Sequence, residues 1–262
     1  SFFLLLCSFC TAAPFDNEVF DPAIRTVQFH HTENELRFPI LKLKHDAEYL
    51  TLEFDELRAA PSDFSATLFH CDADWNVSNL IPVEFYTGFL NAPITDITSS
   101  RNTRVTYNHY RYRFPTSGND FRTSGNYILK IYRDSDENKV VMTRRFLVVE
   151  DLVNITPDVG FTTNTQERRQ LQAVNFYLNS AYVNLNEPFS DLNVMVLQNF
   201  RWDSRHQHLK AAYIYPDRQE FRFDAANDFP GGNEYRYFDL RNIRRLGGRL
   251  RDIAYTDSGM FV

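Results

Sequence analysis

The side chains with the greatest chemical potential in this sequence lie at positions 70–75, which read His-Cys-Asp-Ala-Asp-Trp. An imidazole, a thiol and carboxylates so close together are groups that bind zinc or activate a nucleophile. Zinc sites normally need at least three spaced Cys or His ligands, and no second cysteine-containing pair follows the apolar run at 1–13. On a strand, His70 would also point away from the face that carries Cys71. We therefore interpret the segment as a strand end in which Cys71 packs inward, while Asp72 and Asp74 bind turn amides.

A second candidate metal pair is His206 and His208, because residues i and i+2 share one face of a strand. No third ligand lies nearby in sequence, and the segment also fits a polar loop after Trp202. The sequence has no glycine-rich phosphate loop, no Gly-x-Ser-x-Gly elbow and no His-Glu-x-x-His motif. Among its 34 acidic residues no carboxylate pair stands out. We therefore predict no catalytic, cofactor-binding or metal-binding residues, and a sandwich fold favours binding over catalysis by analogy.

The elements that would position these residues are short alternating segments separated by turns, as in a β-sandwich. The predicted strands of the first part are 49–55, 64–71, 105–114, 124–132 and 140–149. A glycine turn precedes Tyr127, which resembles the tyrosine corner of immunoglobulin-like sandwiches, where the hydroxyl binds backbone across the entry loop. The polar turn at 134–139 predicts that the last two strands form a hairpin.

The alternating pattern stops at 150–158, a run of acidic and turn-forming residues that includes Pro157, and then restarts. Further strands are predicted at 174–178 and 192–198, in a hairpin around 216–219, and at 234–240. We therefore predict an all-β protein, an N-terminal immunoglobulin-like β-sandwich followed by a second β-rich domain. The predicted divisions are 1–13 signal peptide, 14–25 extended segment, 26–150 sandwich, 151–158 linker and 159–262 second domain, which we expect to continue beyond the C-terminus.

Composition indicates an exported protein without disulfides. The apolar run at 1–13 ends in small residues, as a signal-peptide core does, and we expect cleavage near Ala13. Lipidation is disfavoured because Phe9, rather than a small residue, precedes Cys10. Only Cys71 then remains, so packing must provide the stability.

A net charge of -6 argues against a nucleic-acid partner, and no later stretch has the roughly 18 apolar residues that a membrane helix needs.

Several strings in the chain carry a family resemblance. They are 20–28 (FDPAIRTVQ), 70–75 (HCDADW), 109–115 (HYRYRFP), 124–127 (SGNY), 196–199 (VLQN) with 201–203 (RWD), and 229–239 (FPGGNEYRYFD). Together they resemble the plug protein of the bacterial type IX secretion system. The resemblance implies a periplasmic protein that binds the large outer-membrane β-barrel translocon and covers its periplasmic opening. It implies no catalytic residues and identifies no interface residues.

For the partner interface we predict Trp75 and Trp202, each beside acidic turn residues, as anchors presented by loops. The alternative is that each ring packs as part of a core or as a loop lid. Two other functions stay open, a carbohydrate-binding module and an accessory domain of a hydrolase. The first requires coplanar exposed rings in one groove, and the second requires a catalytic domain after Val262.

Overall fold

The computed structural model describes residues 16–43, 48–116, 118–180, 183, 185, 187, 191–223, 225–232, 254–256 and 259–261, the last two ranges by backbone alone. Its first part contains β1 Glu18–Val19, β2 Ile24–His31, β3 Ile40–Lys42, β4 Leu50–Glu56, β5 Phe64–Cys71, α1 Pro82–Phe85, β6 Ala92–Pro93, β7 Asp96–Ser99, β8 Asn108–Phe114, β9 Gly125–Arg133 and β10 Val140–Val149. One sheet has the order β1-β10-β9-β5-β6 with β3 beside β10, and the other has the order β2-β4-β8-β7. Side chains from both sheets form one hydrophobic core, so this part is a β-sandwich.

The core follows from the period of two in the strands. Leu50, Leu52 and Phe54 in β4 are fully buried, as the alternation predicts. In β8, Tyr110 stacks on Phe54 with ring centroids 5.0 Å apart. β8 begins three residues later than predicted. The predicted hairpin between β9 and β10 is confirmed, and the predicted all-β class is confirmed as well. Aromatic rings on facing strands thus fill the space between the sheets.

The second part contains β11 Asn154–Phe161, β12 Leu171–Asn179, β13 Met195–Val196, a 3-10 turn at Trp202–Ser204, β14 His206–Gln207, β15 Tyr213–Ile214, β16 Arg218–Phe221, a 3-10 turn at Ala225–Asn227, β17 Asp228–Pro230, β18 Ala254–Thr256 and β19 Gly259–Phe261. Its main sheet has the order β11-β12-β16-β15, with β17 beside β12. Phe176 and Phe221 stack at 4.7 Å between centroids in a second core. The predicted hairpin around 216–219 is confirmed with a tighter turn, since β16 already begins at Arg218.

A strand lies partly inside the segment predicted as a linker. β11 begins at Asn154, inside the segment predicted as a linker, and it contains Pro157. Proline lacks an N–H donor but is tolerated in an edge strand, which β11 is. The predicted extended segment at 14–25 is described from residue 16, where β1 pairs with β10 and β2 begins at Ile24. The predicted signal peptide at 1–13 and strand at 234–240 lie outside the described residues. Among the helices of the described residues, none has the length and apolarity needed to cross a membrane.

Candidate partner interface

The two tryptophans meet where the first sandwich contacts the second part. Their rings are perpendicular, with centroids 5.0 Å apart. The Arg145 guanidinium from β10 lies over both rings, 4.5 Å from the centroid of Trp75 and 5.3 Å from that of Trp202. Phe38 adds a contact to Trp202 at 5.6 Å. We call these four residues the tryptophan junction; its cation–π and ring contacts join the two parts of the chain.

The tryptophan junction contains both residues that were predicted as partner anchors, Trp75 and Trp202. Trp75 is only 6 % exposed and packs with Cys71 and Ile128, which is the arrangement of a ring that forms part of a core. Trp202 is half-buried against it. Perpendicular rings do not form the flat platform on which a sugar stacks, so the junction does not favour a carbohydrate site. For both tryptophans, binding to a partner stays a prediction.

In the cluster at 70–75, the side chains of His70, Cys71 and Asp72 each have a structural role. His70 Nδ1 lies 2.8 Å from Ser78 Oγ, while burial raises the pKa of the Cys71 thiol to about 12. Asp72 Oδ1 accepts hydrogen bonds from the backbone N–H groups of Asp74 and Asn76, each at 2.9 Å. In the described part of the chain no three His, Cys, Asp or Glu side chains group closely enough to hold a metal ion. The inward packing of Cys71 and the turn-binding role of Asp72 are confirmed, while the turn-binding role of Asp74 stays a prediction.

The other candidate pair, His206 and His208, is also built into the fold. His206 stacks on Phe229 at 4.1 Å between ring centroids, and its Nδ1 lies 2.6 Å from the carbonyl oxygen of Ala226. His208 follows the end of β14 with a left-handed φ of 58°, so it does not continue the strand that would align the two rings. Together these contacts indicate a structural role for His206.

The main exposed apolar surface of the first sandwich is the segment 77–91 between β5 and β6, which we call the α1 loop because it contains α1. Phe89 at its end is 87 % exposed. The other exposed apolar side chains of the loop are Val77, Leu80, Ile81 and Val83. Below them lies a cavity of about 230 Å³ whose apolar lining includes Leu80, Phe85 and Leu90. Exposed apolar groups around a cavity are typical of a protein–protein contact site.

Hydrogen bonds from the neighbouring segment 121–127 hold the α1 loop in place. Thr123 Oγ1 donates to the carbonyl oxygen of Glu84 at 2.8 Å, and Arg122 Nη1 donates to that of Val83 at 3.1 Å. Tyr127 Oη in turn donates to the carbonyl oxygen of Thr123 at 2.6 Å, which confirms the predicted hydroxyl bond of the tyrosine corner. The apolar loop is therefore presented on a fixed frame, which lowers the entropy lost when a partner binds.

The α1 loop was not predicted from the sequence, because its residues follow no strand or helix period. The signal that could have found it is the apolar run at 80–83, Leu-Ile-Pro-Val, in a segment between predicted strands. An apolar run that lacks the spacing of a strand or a helix does not place its side chains on one buried face. Such a run therefore indicates an exposed apolar patch.

The fold and these surfaces define an all-β sandwich protein with an ordered apolar loop surface. Residues 24–150 match the family model for the type 9 secretion system plug protein 1st domain. Residues 24–150 therefore form a first domain of the type IX secretion plug family. A domain of this family points to a location in the cell envelope.

A solved structure extends the likeness beyond the first domain. The crystal structure of a hypothetical protein from Parabacteroides merdae is 28 % identical to this chain, with a TM-score of 0.83. The match covers 94 % of this chain and 62 % of that chain, so this chain spans less than two thirds of its length. No curated protein matches the sequence.

Proposed function

We propose that the protein is a periplasmic plug, exported by a cleaved signal peptide, that binds the large outer-membrane β-barrel of the type IX translocon and blocks its periplasmic opening. The family match over residues 24–150 supports this proposal most directly. Blocking a channel needs shape and adhesion rather than bond-making, so the plug acts without catalysis. The tyrosine corner at Tyr127 supports an immunoglobulin-like assignment of its first domain.

We infer that the α1 loop is the surface that contacts the barrel. Phe89 and Ile81 project from a loop whose backbone is tied to the sandwich, so they can enter apolar pockets of a partner with little ordering cost. The cavity beside Leu80 and Phe85 can in turn receive an apolar side chain of the barrel. Exchanged side chains of this kind fix the plug in one orientation across the opening.

The test is co-purification of the tagged full-length protein with the barrel from detergent-solubilised outer membranes. A double variant, Ile81→Ser with Phe89→Ser, removes the main apolar projections of the α1 loop. The matched control, Leu57→Ser with Val105→Ser, removes exposed apolar side chains elsewhere on the same sandwich. We expect the control to retain the barrel, while the α1-loop variant loses at least about tenfold of it, as for two interface anchors of more than 1 kcal/mol in total.

Two outcomes separate the parts of this proposal. If the wild-type protein retains the barrel and the α1-loop variant retains it equally, the α1 loop is not the contact surface. If the wild-type protein retains no barrel but is retained by polysaccharide, the plug function itself is wrong and the carbohydrate-binding alternative is favoured. Single-channel conductance of the purified barrel provides the second readout, since added plug should lower it.

A further inference from the structure

A second surface lies beside the tryptophan junction, away from the α1 loop. It is a groove of about 450 Å³ with apolar walls from both parts of the chain, including Leu36, Phe38, Phe200 and Trp202. Leu36 is 86 % exposed at its edge. We call it the arginine groove, because Arg37, Arg144 and Arg145 also line it.

The charges along the arginine groove are unbalanced at one position. Arg37 has Glu48 at 3.7 Å and Arg145 has Asp16 at 3.3 Å. Arg144 Nη1 instead donates to the carbonyl oxygens of Glu18 at 3.1 Å and Thr143 at 2.7 Å. Within the described ranges, no carboxylate lies within 4.0 Å of the Arg144 guanidinium.

The remaining carboxylate in the lining is that of Glu35, so the groove carries more positive than negative side chains. Burial lowers the pKa of Arg144 to about 10, which still leaves the side chain charged at neutral pH. A partly buried cation with no carboxylate partner is a good binding group for an incoming anion.

The apolar wall is presented by strained backbone. Asn199 and Phe200 have left-handed φ angles of 54° and 58°, which are uncommon for residues other than glycine and cost energy. In this conformation the Phe200 ring stacks on Phe38 at 5.3 Å between centroids, yet Phe200 stays exposed. Backbone strain that places an aromatic ring at the edge of a groove indicates a binding role for the ring.

We propose that the arginine groove binds an acidic, apolar segment of a partner polypeptide. Arg144 binds a carboxylate of that segment, and the adjacent apolar side chain lies against Phe200 and Trp202. The apolar walls are open to solvent at Leu36 and Phe200, so a polypeptide can pass through the groove and be held on both sides. The proposal is independent of the plug function and of the α1 loop.

Intrinsic fluorescence can measure peptide binding to the arginine groove. Both tryptophans of the chain are in the tryptophan junction, and Trp202 also lines the groove. The probe is the capped peptide acetyl-Ala-Phe-Asp-Ala-amide, and its neutral control has Asn in place of Asp. Peptides of this size bind single grooves with dissociation constants on the order of 1 mM. We expect a saturable fluorescence change with the Asp peptide and about tenfold weaker binding of the Asn peptide, as for loss of one charge-assisted hydrogen bond.

Variants assign the site. Arg144→Gln should weaken binding of the Asp peptide about tenfold and abolish the preference over the Asn peptide. Phe200→Ser, at an exposed position, should weaken both peptides alike and serves as the second test if Arg144→Gln does not fold. The control is Arg113→Gln, whose guanidinium lies over Tyr49 on the other sheet and should leave binding unchanged.

Three results would overturn the proposal. The first is equal affinity for the Asp and Asn peptides, and the second is wild-type affinity in folded Arg144→Gln or Phe200→Ser. The third is no saturable fluorescence change up to about 10 mM peptide, because a dissociation constant above that concentration would not represent specific binding. A fourth result, in which free 3-phenylpropionate binds more tightly than the Asp peptide, would replace the polypeptide by a small apolar carboxylate.

Discussion

Replacing Tyr127 by phenylalanine removes one hydroxyl group from the corner that supports the α1 loop. The Tyr127 side chain is fully buried, and its hydroxyl donates to the carbonyl oxygen of Thr123 at 2.6 Å. Thr123 is also the residue whose own hydroxyl binds Glu84 of α1. Burial raises the pKa of Tyr127 far above its usual value, so the hydroxyl stays a donor at every pH at which the protein is studied.

The expected cost follows from the bond that is lost. The Phe ring fills nearly the same volume, so packing of the ring against Phe121 and Phe146 is retained. The carbonyl oxygen of Thr123 loses its buried donor, and an unsatisfied buried polar group costs about 1–3 kcal/mol. We therefore expect Tyr127→Phe to lower the free energy of unfolding by about 2 kcal/mol, which lowers Tm by about 4–8 °C in a protein of this size.

Urea denaturation followed by circular dichroism measures this change. The matched control is Tyr112→Phe, because Tyr112 is a buried tyrosine of the same core whose hydroxyl forms no hydrogen bond within the described residues. We expect the control to change the free energy of unfolding by less than about 0.5 kcal/mol. Equal stabilities of the Tyr127→Phe and Tyr112→Phe proteins would refute the view that the corner bond holds this part of the sandwich together.

Three further predictions concern buried charge and the thiol. Arg133→Met should destabilise the protein by about 2 kcal/mol in thermal unfolding, because it removes the shorter ion pair of the buried Glu56 carboxylate, at 2.8 Å, and leaves the pair with the half-exposed Arg58 at 3.3 Å. Burial opposes ionisation of Asp21, but the Ala23 N–H and Arg133 hold its pKa below the usual value. Asp21 therefore contributes stability that is present above about pH 4 and lost as the pH falls through the lowered pKa, so an Asp21→Asn protein should lose less stability on acidification. With the other two cysteines replaced by serine, Cys71 should react with Ellman's reagent at pH 8 about a thousandfold more slowly than free cysteine, because its pKa is about 12.

Controls for these experiments come from the same chain. Arg111→Met removes an exposed ion pair to Glu53 and should cost less than about 1 kcal/mol, so a similar loss in Arg133→Met would contradict the role of burial. Parallel acid-denaturation curves of wild type and Asp21→Asn would show that Asp21 has no part in acid stability. Rapid labelling of Cys71 without urea would mean that the strand end is open in the native state.

Local pattern was enough to predict strands β4, β5, β8, β9 and β10 of the first sandwich, but not β1, β2, β3, β6 or β7. In β4 and β8, apolar residues at every second position must face one side, so their burial follows from the pleat alone. The corner at Tyr127 was also predictable, since a glycine turn and the strand it enters are neighbours in sequence. The boundary at 151–158 was less predictable, because an edge strand that contains proline has the composition of a linker.

The sequence by itself determined the all-β class, the two-part organisation of the pattern and the lack of any recognisable catalytic motif, because each depends on residues close together in the chain. Only the tertiary structure decided that Trp75 packs against Trp202, that the α1 loop is tied to the segment at Thr123, and that Arg144 lies in a groove with Phe200. Each of these contacts joins residues distant in sequence. They arise when the strands pair and the two cores form, so no local period of the chain records them.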